Sequence, residues 1–493
     1  GLLGYEYYQR DNNYFRAENS GFGTDATHEN NLGGGNAPKM SSSKDRRKDI
    51  SGFGRVDYSF NDKYLATVTL RRDGSSVFGG NNKYAYFPGV SVGWKIDKED
   101  FMAGAADKVD ILKLRLGYGQ SGNSGIDPYQ SLSKYDMTTN GILGQNKVSG
   151  ATLTNYMENP DLKWETTSQV NLGIDYGFFS RLSGNLDFFV KNTKDMLVQV
   201  SQSPMTGHKY QWQNAASMRV WGLEYSLNST NIQTRDFEWD TQLSFSWTDN
   251  KITDYNVTDE STVAALNTIG VIKGERTNSY YTYVIDGIDP SSGSYRFKDL
   301  DGDGSITVKD KAILGTPDPR VILGFGNTFK YKNFALDIFF NANFGNKMYN
   351  YSAMNFTLPN TFETSNYMVD AMNYWSESNP NSDIAANRAN GNGNALYNSR
   401  WIEDAWFIRL QNVTLSYNLA SIPSLRKIFP TAKIYVQAQN LFLITPYSGL
   451  DPELANNAYM SSSENLPAFL PGSVDMNAYP PARTFTVGLN FSF

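Results

Sequence analysis

Residues 321–345, VILGFGNTFKYKNFALDIFFNANFG, constrain the fold more than any other stretch. On the first arm Val321, Leu323, Phe325, Phe329 and Tyr331 fall on one face, and Ile322, Gly324, Gly326, Thr328 and Lys330 on the other. On the second arm Phe334, Leu336, Ile338, Phe340, Ala342 and Phe344 alternate with Ala335, Asp337, Phe339, Asn341, Asn343 and Gly345. Such alternation predicts two β-strands, because successive side chains of an extended chain point to opposite faces. Lys332-Asn333 has the length that closes a tight hairpin. That turn sets Tyr331 opposite Phe334, Phe329 opposite Leu336, Phe325 opposite Phe340 and Val321 opposite Phe344. Both apolar sets then share one side of one sheet. A soluble sandwich also buries one face, so it is repetition along the chain that decides.

The pattern repeats. Leu3, Tyr5 and Tyr7 open the chain, followed by a stretch ending in LGGGNAPKMSSSKDRRKD that reads as a solvated loop. Val56, Tyr58 and Phe60 are then joined through Asn61-Asp62-Lys63 to Tyr64, Ala66, Val68 and Leu70. Further strands carry Val90, Val92 and Trp94; Leu112, Leu114, Leu116 and Tyr118; Val170, Leu172, Ile174 and Tyr176; and Leu186, Phe188 and Val190. Trp221, Leu223 and Tyr225, then Leu243, Phe245 and Trp247, precede the hairpin. After it, Ile408 and Leu410 stand in one phase and Val413, Leu415 and Tyr417 in the other, which predicts a β-bulge near Gln411-Asn412. Ile434, Val436, Ala438 and Phe442 form the penultimate strand. Phe485, Val487, Leu489, Phe491 and Phe493 form the last.

The total is about 14 strands, joined by short turns on one side and long loops at 121–163, 250–319, 346–404 and 446–482 on the other. This arrangement is the mark of an outer-membrane β-barrel. The expected class is therefore all-β, a transmembrane antiparallel barrel. Mean hydropathy is −0.48, and no run of about 18 apolar residues exists, which excludes transmembrane helices. It does not count against a barrel, whose strands face lipid with alternate residues. Cysteine is absent from the 493 residues, so thiolate metal sites and disulfides are unavailable. A net charge of −6 argues against nucleic acid as a partner.

Several runs resemble the SusC/RagA family of TonB-dependent outer-membrane transporters: RVDYSFNDKYLATVTLRRDGSSVFG, YFPGVSVGWKI, LRLGYGQSGNSGI, LKWETTSQVNLGIDYGFF, NTKDML, the opening hairpin and YPPARTFTVGLNFSF. The resemblance covers essentially the whole chain. It implies a 22-stranded barrel closed by an N-terminal plug, of which residues 1–493 are the C-terminal part, without plug, TonB-binding segment or roughly the first eight strands. It also implies that the short turns are periplasmic and the long loops extracellular. The implied activity is TonB-driven import of a large nutrient, oligosaccharide or oligopeptide, under a SusD-like surface lipoprotein. A barrel scaffolding partner lipoproteins, and a self-sufficient 14-stranded pore, are the alternatives.

One motif within 250–319 stands apart. In DLDGDGSITVKD, Asp299, Asp301 and Asp303 occupy positions 1, 3 and 5 of a Ca²⁺ loop, and Gly304 takes the sharp turn at position 6. Ser305 would coordinate through its carbonyl, Thr307 directly or through water, and Asp310 would close the loop at position 12. Asp310 stands where Glu is usual and no flanking helices are evident; a solvated acidic turn is the alternative. Gly117-x-Gly119-x-x-Gly122 has dinucleotide spacing but lacks the helix whose N-terminus would hold phosphate. No catalytic constellation involves His28 or His208, so no enzyme is expected. Tyr351, Phe356, Tyr367, Tyr374, Trp375 and Trp401 are loop aromatics that either stack on a ligand or pack within the loops.

Overall fold

The computed structural model describes all residues except 27, 144–145, 359–365, 387–396, 427, 454–473, 477 and 493. Phe493, predicted on the last strand, therefore lies outside the described residues. Fourteen strands follow one another along an antiparallel path in one sheet, to which Tyr156–Met157 adds a short parallel fifteenth. They are β1 (Leu2–Glu18), β2 (Lys39–Phe60), β3 (Tyr64–Ser75), β4 (Tyr84–Lys95), β5 (Val109–Asn123), β6 (Glu165–Phe178) and β7 (Leu182–Ser201). Then come β8 (Tyr210–Gln233), β9 (Phe237–Tyr255), β10 (Val321–Tyr331), β11 (Phe334–Phe344), β12 (Phe407–Asn418), β13 (Thr431–Ile444) and β14 (Thr484–Ser492). Each pairs with its sequence neighbour, and β1 and β14 are the two edges.

The opening hairpin has the expected register, Tyr331 opposite Phe334 through Val321 opposite Phe344. Its turn is tight because Lys332 takes a positive φ of 52°. The predicted bulge is also present. On β12, Leu410 and Asn412 pair with Phe340 and Phe339 of β11, leaving Gln411 as the extra residue. One side of the sheet is a belt of exposed aliphatic and aromatic side chains, among them Val56, Val68, Val90, Leu172, Leu415, Val436 and Val487. Water would not tolerate so continuous an apolar face. Lipid requires it.

Two expectations need correction. The run KMSSSKDRRKD is not loop: it forms the first half of β2, paired with β1 as far as Glu18 opposite Lys39. The strand at 237 likewise continues to Tyr255, past the expected loop start at 250. Alternation of apolar residues marks only the lipid-crossing part of a strand, for which 9–11 residues suffice. β2 has 22 residues and β8 has 24, so both continue beyond the belt with polar side chains. The connection at 121–163 is not featureless, since it contains a hairpin of Tyr135–Leu143 with Asn146–Leu153.

Candidate functional site

The long loops do not hang separately. A core of Tyr280, Tyr295, Tyr349, Met354, Leu358, Ile384, Tyr397, Trp401, Ile402 and Val474 draws on the loops of 250–319, 346–404 and 446–482 together. A small sheet joins Ile402–Asp404, Lys347–Asn350 and Val474–Asp475. Polar groups tie the same loops. Thr282 Oγ1 donates to the Tyr397 carbonyl at 2.6 Å, and Asn350 Nδ2 to Glu403 Oε1 at 2.9 Å. Tyr447 donates to Asp475 Oδ2 at 2.7 Å, and burial together with that carboxylate pushes its hydroxyl pKa up. Of the loop aromatics, Trp401 is buried in this core, and Tyr351 and Tyr374 pack against it. These three pack within the loops, whereas Tyr367 is exposed. No sequence window could show that packing, because residues some 200 positions apart supply the two sides of one core.

The acidic loop closes an excursion from this cap. Tyr281–Tyr283 pairs with Lys311–Ile313, and Ile285–Ile288 with Tyr295–Phe297, so residues 298–310 connect two short ladders. Asp299, Asp301 and Asp303 converge, each offering a carboxylate oxygen within 4.8 Å of the others, and all three are exposed. Asp299 also accepts from the amides of Gly302 at 2.7 Å and Gly304 at 2.8 Å, while Asp303 accepts from Ser305 at 2.8 Å. Gly302 and Gly304 hold φ of 76° and 83°, which side chains with a Cβ adopt reluctantly.

Asp310 plays a different part. Its buried carboxylate accepts from the amides of Leu300 at 2.7 Å and Thr307 at 2.7 Å, cinching both ends of the loop. Those donors hold its pKa below the usual carboxylate range, against the opposing effect of burial. The Thr307 side chain accepts from Lys309 at 3.2 Å and caps the turn it forms with Asp310. Three of the predicted ligands therefore face one point, and Asp310 is spent on the backbone.

Two buried arginines were not singled out from sequence. Arg409 on β12 donates through Nη2 to both carboxylate oxygens of Asp451, at 2.7 and 2.8 Å, and both side chains are buried. This pair pins the start of the last long loop to the inner wall. Arg276 lies 3.0 Å from Asp249 and donates to the Asp318 carbonyl at 3.2 Å, locking the base of the loop between β9 and β10. Burial lowers the Arg276 pKa and raises that of Asp318. Nothing in the local spacing marks either arginine, since each partner is tens of residues away.

The inner wall is polar. On β5 and its neighbours, Arg115 meets Asp175 at 2.8 Å and Asp187 at 2.9 Å. A hollow of about 400 Å³ lies beside it against small uncharged residues, including Thr69, Ser91, Gly117, Gly119 and Asn171. Gly117 and Gly119 are thus wall residues. A Cβ on Gly122 would come within 2.2 Å of the Phe87 ring, so that glycine makes room for an aromatic. His208 only caps a loop, its Nδ1 2.8 Å from the Thr154 carbonyl.

A family model described as TonB dependent receptor-like, beta-barrel, matches residues 1–441. TonB-dependent receptor P3 of Formosa agariphila is 33% identical over 518 residues, spanning 100% of this chain and 50% of the relative. TonB-dependent receptor SusC of Bacteroides thetaiotaomicron is 31% identical, over 90% of this chain and 44% of the relative. Among solved structures, the RagAB peptide transporter superposes with a TM-score of 0.82 at 26% identity, covering 100% of this chain and 53% of that one. The chain spans about half the length of the relatives it matches. Its lipid-facing belt, polar inner wall and co-folded long loops agree with that match: the chain belongs to the TonB-dependent receptor β-barrel family, of the SusC/RagA type, and is an outer-membrane protein.

Proposed function

We propose that the protein of which these 493 residues are part imports a large nutrient, an oligosaccharide or oligopeptide, across the outer membrane. The carrying observation is the shared core of three long loops on a polar-walled barrel. A cap built this way offers one stiff, contoured rim rather than independent loops, which suits capture of an extended ligand and docking of a partner over the mouth. In this reading the partner is a SusD-like surface lipoprotein, and transport is driven through TonB. Likeness to SusC and to the RagAB peptide transporter supports the reading. Within it, Asp299, Asp301 and Asp303 hold a hard divalent cation, calcium by the spacing, on the outer rim.

The test is uptake by intact cells of labelled oligosaccharide and labelled peptide pools, with and without the gene and with TonB disabled. Loss of uptake of one pool in both mutants supports import and names the ligand class. Unchanged uptake of both pools, with loss of a co-purifying lipoprotein assembly, would favour the scaffold role instead.

A further inference from the structure

β7, β8 and β9 lie in the middle of the sheet with neighbours on both sides. Register tells which of their residues share the outer face. On β8, Trp221, Leu223 and Tyr225 point outward, and parity carries Arg219 to the same face. On β9, Leu243, Phe245 and Trp247 carry Lys251 there, and on β7, Phe188 and Val190 carry Asn192; Lys194, at the β7–β8 register shift, keeps that face through its pairing with Thr166 of β6. Arg219 sits directly opposite Lys251 on one side and Asn192 on the other. All three cations are exposed.

Like charges directly opposite one another on a sheet face are destabilising. Among the described residues no carboxylate forms an ion pair with Lys194, Arg219 or Lys251; Arg219 donates to Asn192 Oδ1 at 2.7 Å. Three nearby acids are engaged elsewhere, while Glu275, whose carbonyl accepts from the Ile252 amide, is exposed. Asp249 lies 3.0 Å from Arg276, Asp254 lies 2.7 Å from Lys273, and Asp195 lies 2.9 Å from Lys163. A chain of net charge −6 keeps three cations without an ion pair together here.

Their height sets them at the membrane surface. Trp247 pairs with Val321, the first residue of β10, whose 11 residues match one crossing of the hydrocarbon. Lys251 stands four residues further toward the long loops. At a rise of about 3.3 Å per residue and a tilt near 45°, that is roughly 9 Å above the apolar belt, in the headgroup layer.

We propose that Lys194, Arg219 and Lys251 bind the phosphate of an anionic glycolipid headgroup in the outer leaflet. The guanidinium offers phosphate a bidentate, charge-assisted contact, the two ammoniums neutralise its charge, and Trp221 and Trp247 lie just below, where acyl chains begin. The assignment rests on the long-loop end being extracellular.

The experiment uses the full-length transporter, purified and stripped of glycolipid, followed by thermal unfolding. Probes are lipid A, dephosphorylated lipid A, phosphatidylglycerol and inorganic phosphate. Lipid A is expected to raise the wild-type Tm by several degrees, the other three far less, and Arg219→Gln with Lys251→Gln to lose that shift. Without lipid the double variant should melt no lower than wild type, because a repulsion has been removed. An unchanged shift in the variant, or an equal shift from any other probe, would overturn the proposal. So would a lower lipid-free Tm in the variant, or loss of an acidic protein partner with the lipid shift intact. Labelling of Lys251→Cys by an impermeant thiol reagent on intact cells checks the orientation separately, and labelling only from the periplasm would sink the outer-leaflet assignment.

Discussion

At the scale of single residues, the two faces of β10 make opposite demands. Phe325 projects into the apolar belt, opposite Phe340 and Leu243. Phe325→Arg is expected to cost roughly 2–4 kcal/mol, the range for a cation near the bilayer midplane. Thr328, three residues on, points inward and lies between Asp240 and Asp337. Thr328→Arg should therefore be close to neutral; urea titration of both variants in lipid checks the contrast, and equal costs would show the faces misassigned. Not every inward position is equivalent. Asn341 faces inward too, but it sits directly opposite Arg409, so a cation there would meet a like charge. Arg409 itself is the more sensitive site. Arg409→Leu strands the buried Asp451, a loss of roughly 3–5 kcal/mol for breaking a buried pair from one side. Hydrogen exchange at residues 445–453 should rise sharply in that variant, while exchange within β14 stays low.

At the scale of elements, the acidic loop separates into two jobs that substitutions can tell apart. Asp301→Asn with Asp303→Asn removes two of three converging carboxylates, so the proposed calcium binding should vanish while the loop backbone keeps its shape. Asp310→Ala removes the acceptor for Leu300 and Thr307, so the loop should loosen with or without calcium. The pH response follows from the same carboxylate. Its folded pKa lies below the usual value, so its stabilising effect is fully present above about pH 4, the unfolded value. That effect is lost as the pH falls through the folded pKa. Protease sensitivity of residues 298–310, measured from pH 7 down to 3, should thus stay flat and then rise; a rise beginning near pH 6 would contradict the assignment. Calcium titration monitored at the loop is the companion measurement. Affinity of roughly 10⁻⁴–10⁻³ M is the range for extracellular sites of this kind.

At the scale of the whole molecule, the sheet has two edges, β1 and β14, whose outer backbone groups have no ladder partner within it. Lipid offers none either. Residues 1–493 expressed alone should therefore fail to give a heat-modifiable closed barrel in outer membranes, and a closed 14-stranded species would refute this. Alternation along the chain was enough to place the strands where they cross lipid, their faces, the hairpin register and even the bulge at Gln411. The reason is that a side-chain period of two, read against a sheet wet on one side and greasy on the other, leaves no freedom of phase. The sequence also marked Asp299, Asp301 and Asp303, because their spacing lies within one short loop. Past the belt, both faces of a strand are solvated and the alternation fades. The extensions of β2 and β9 were therefore decided by tertiary pairing. So were the joint core of the long loops, the burial of Arg409 against Asp451 and of Arg276 against Asp249, and the facing of Arg219 by Lys251. Each of these joins residues far apart in the chain, and only the folded sheet sets their distance.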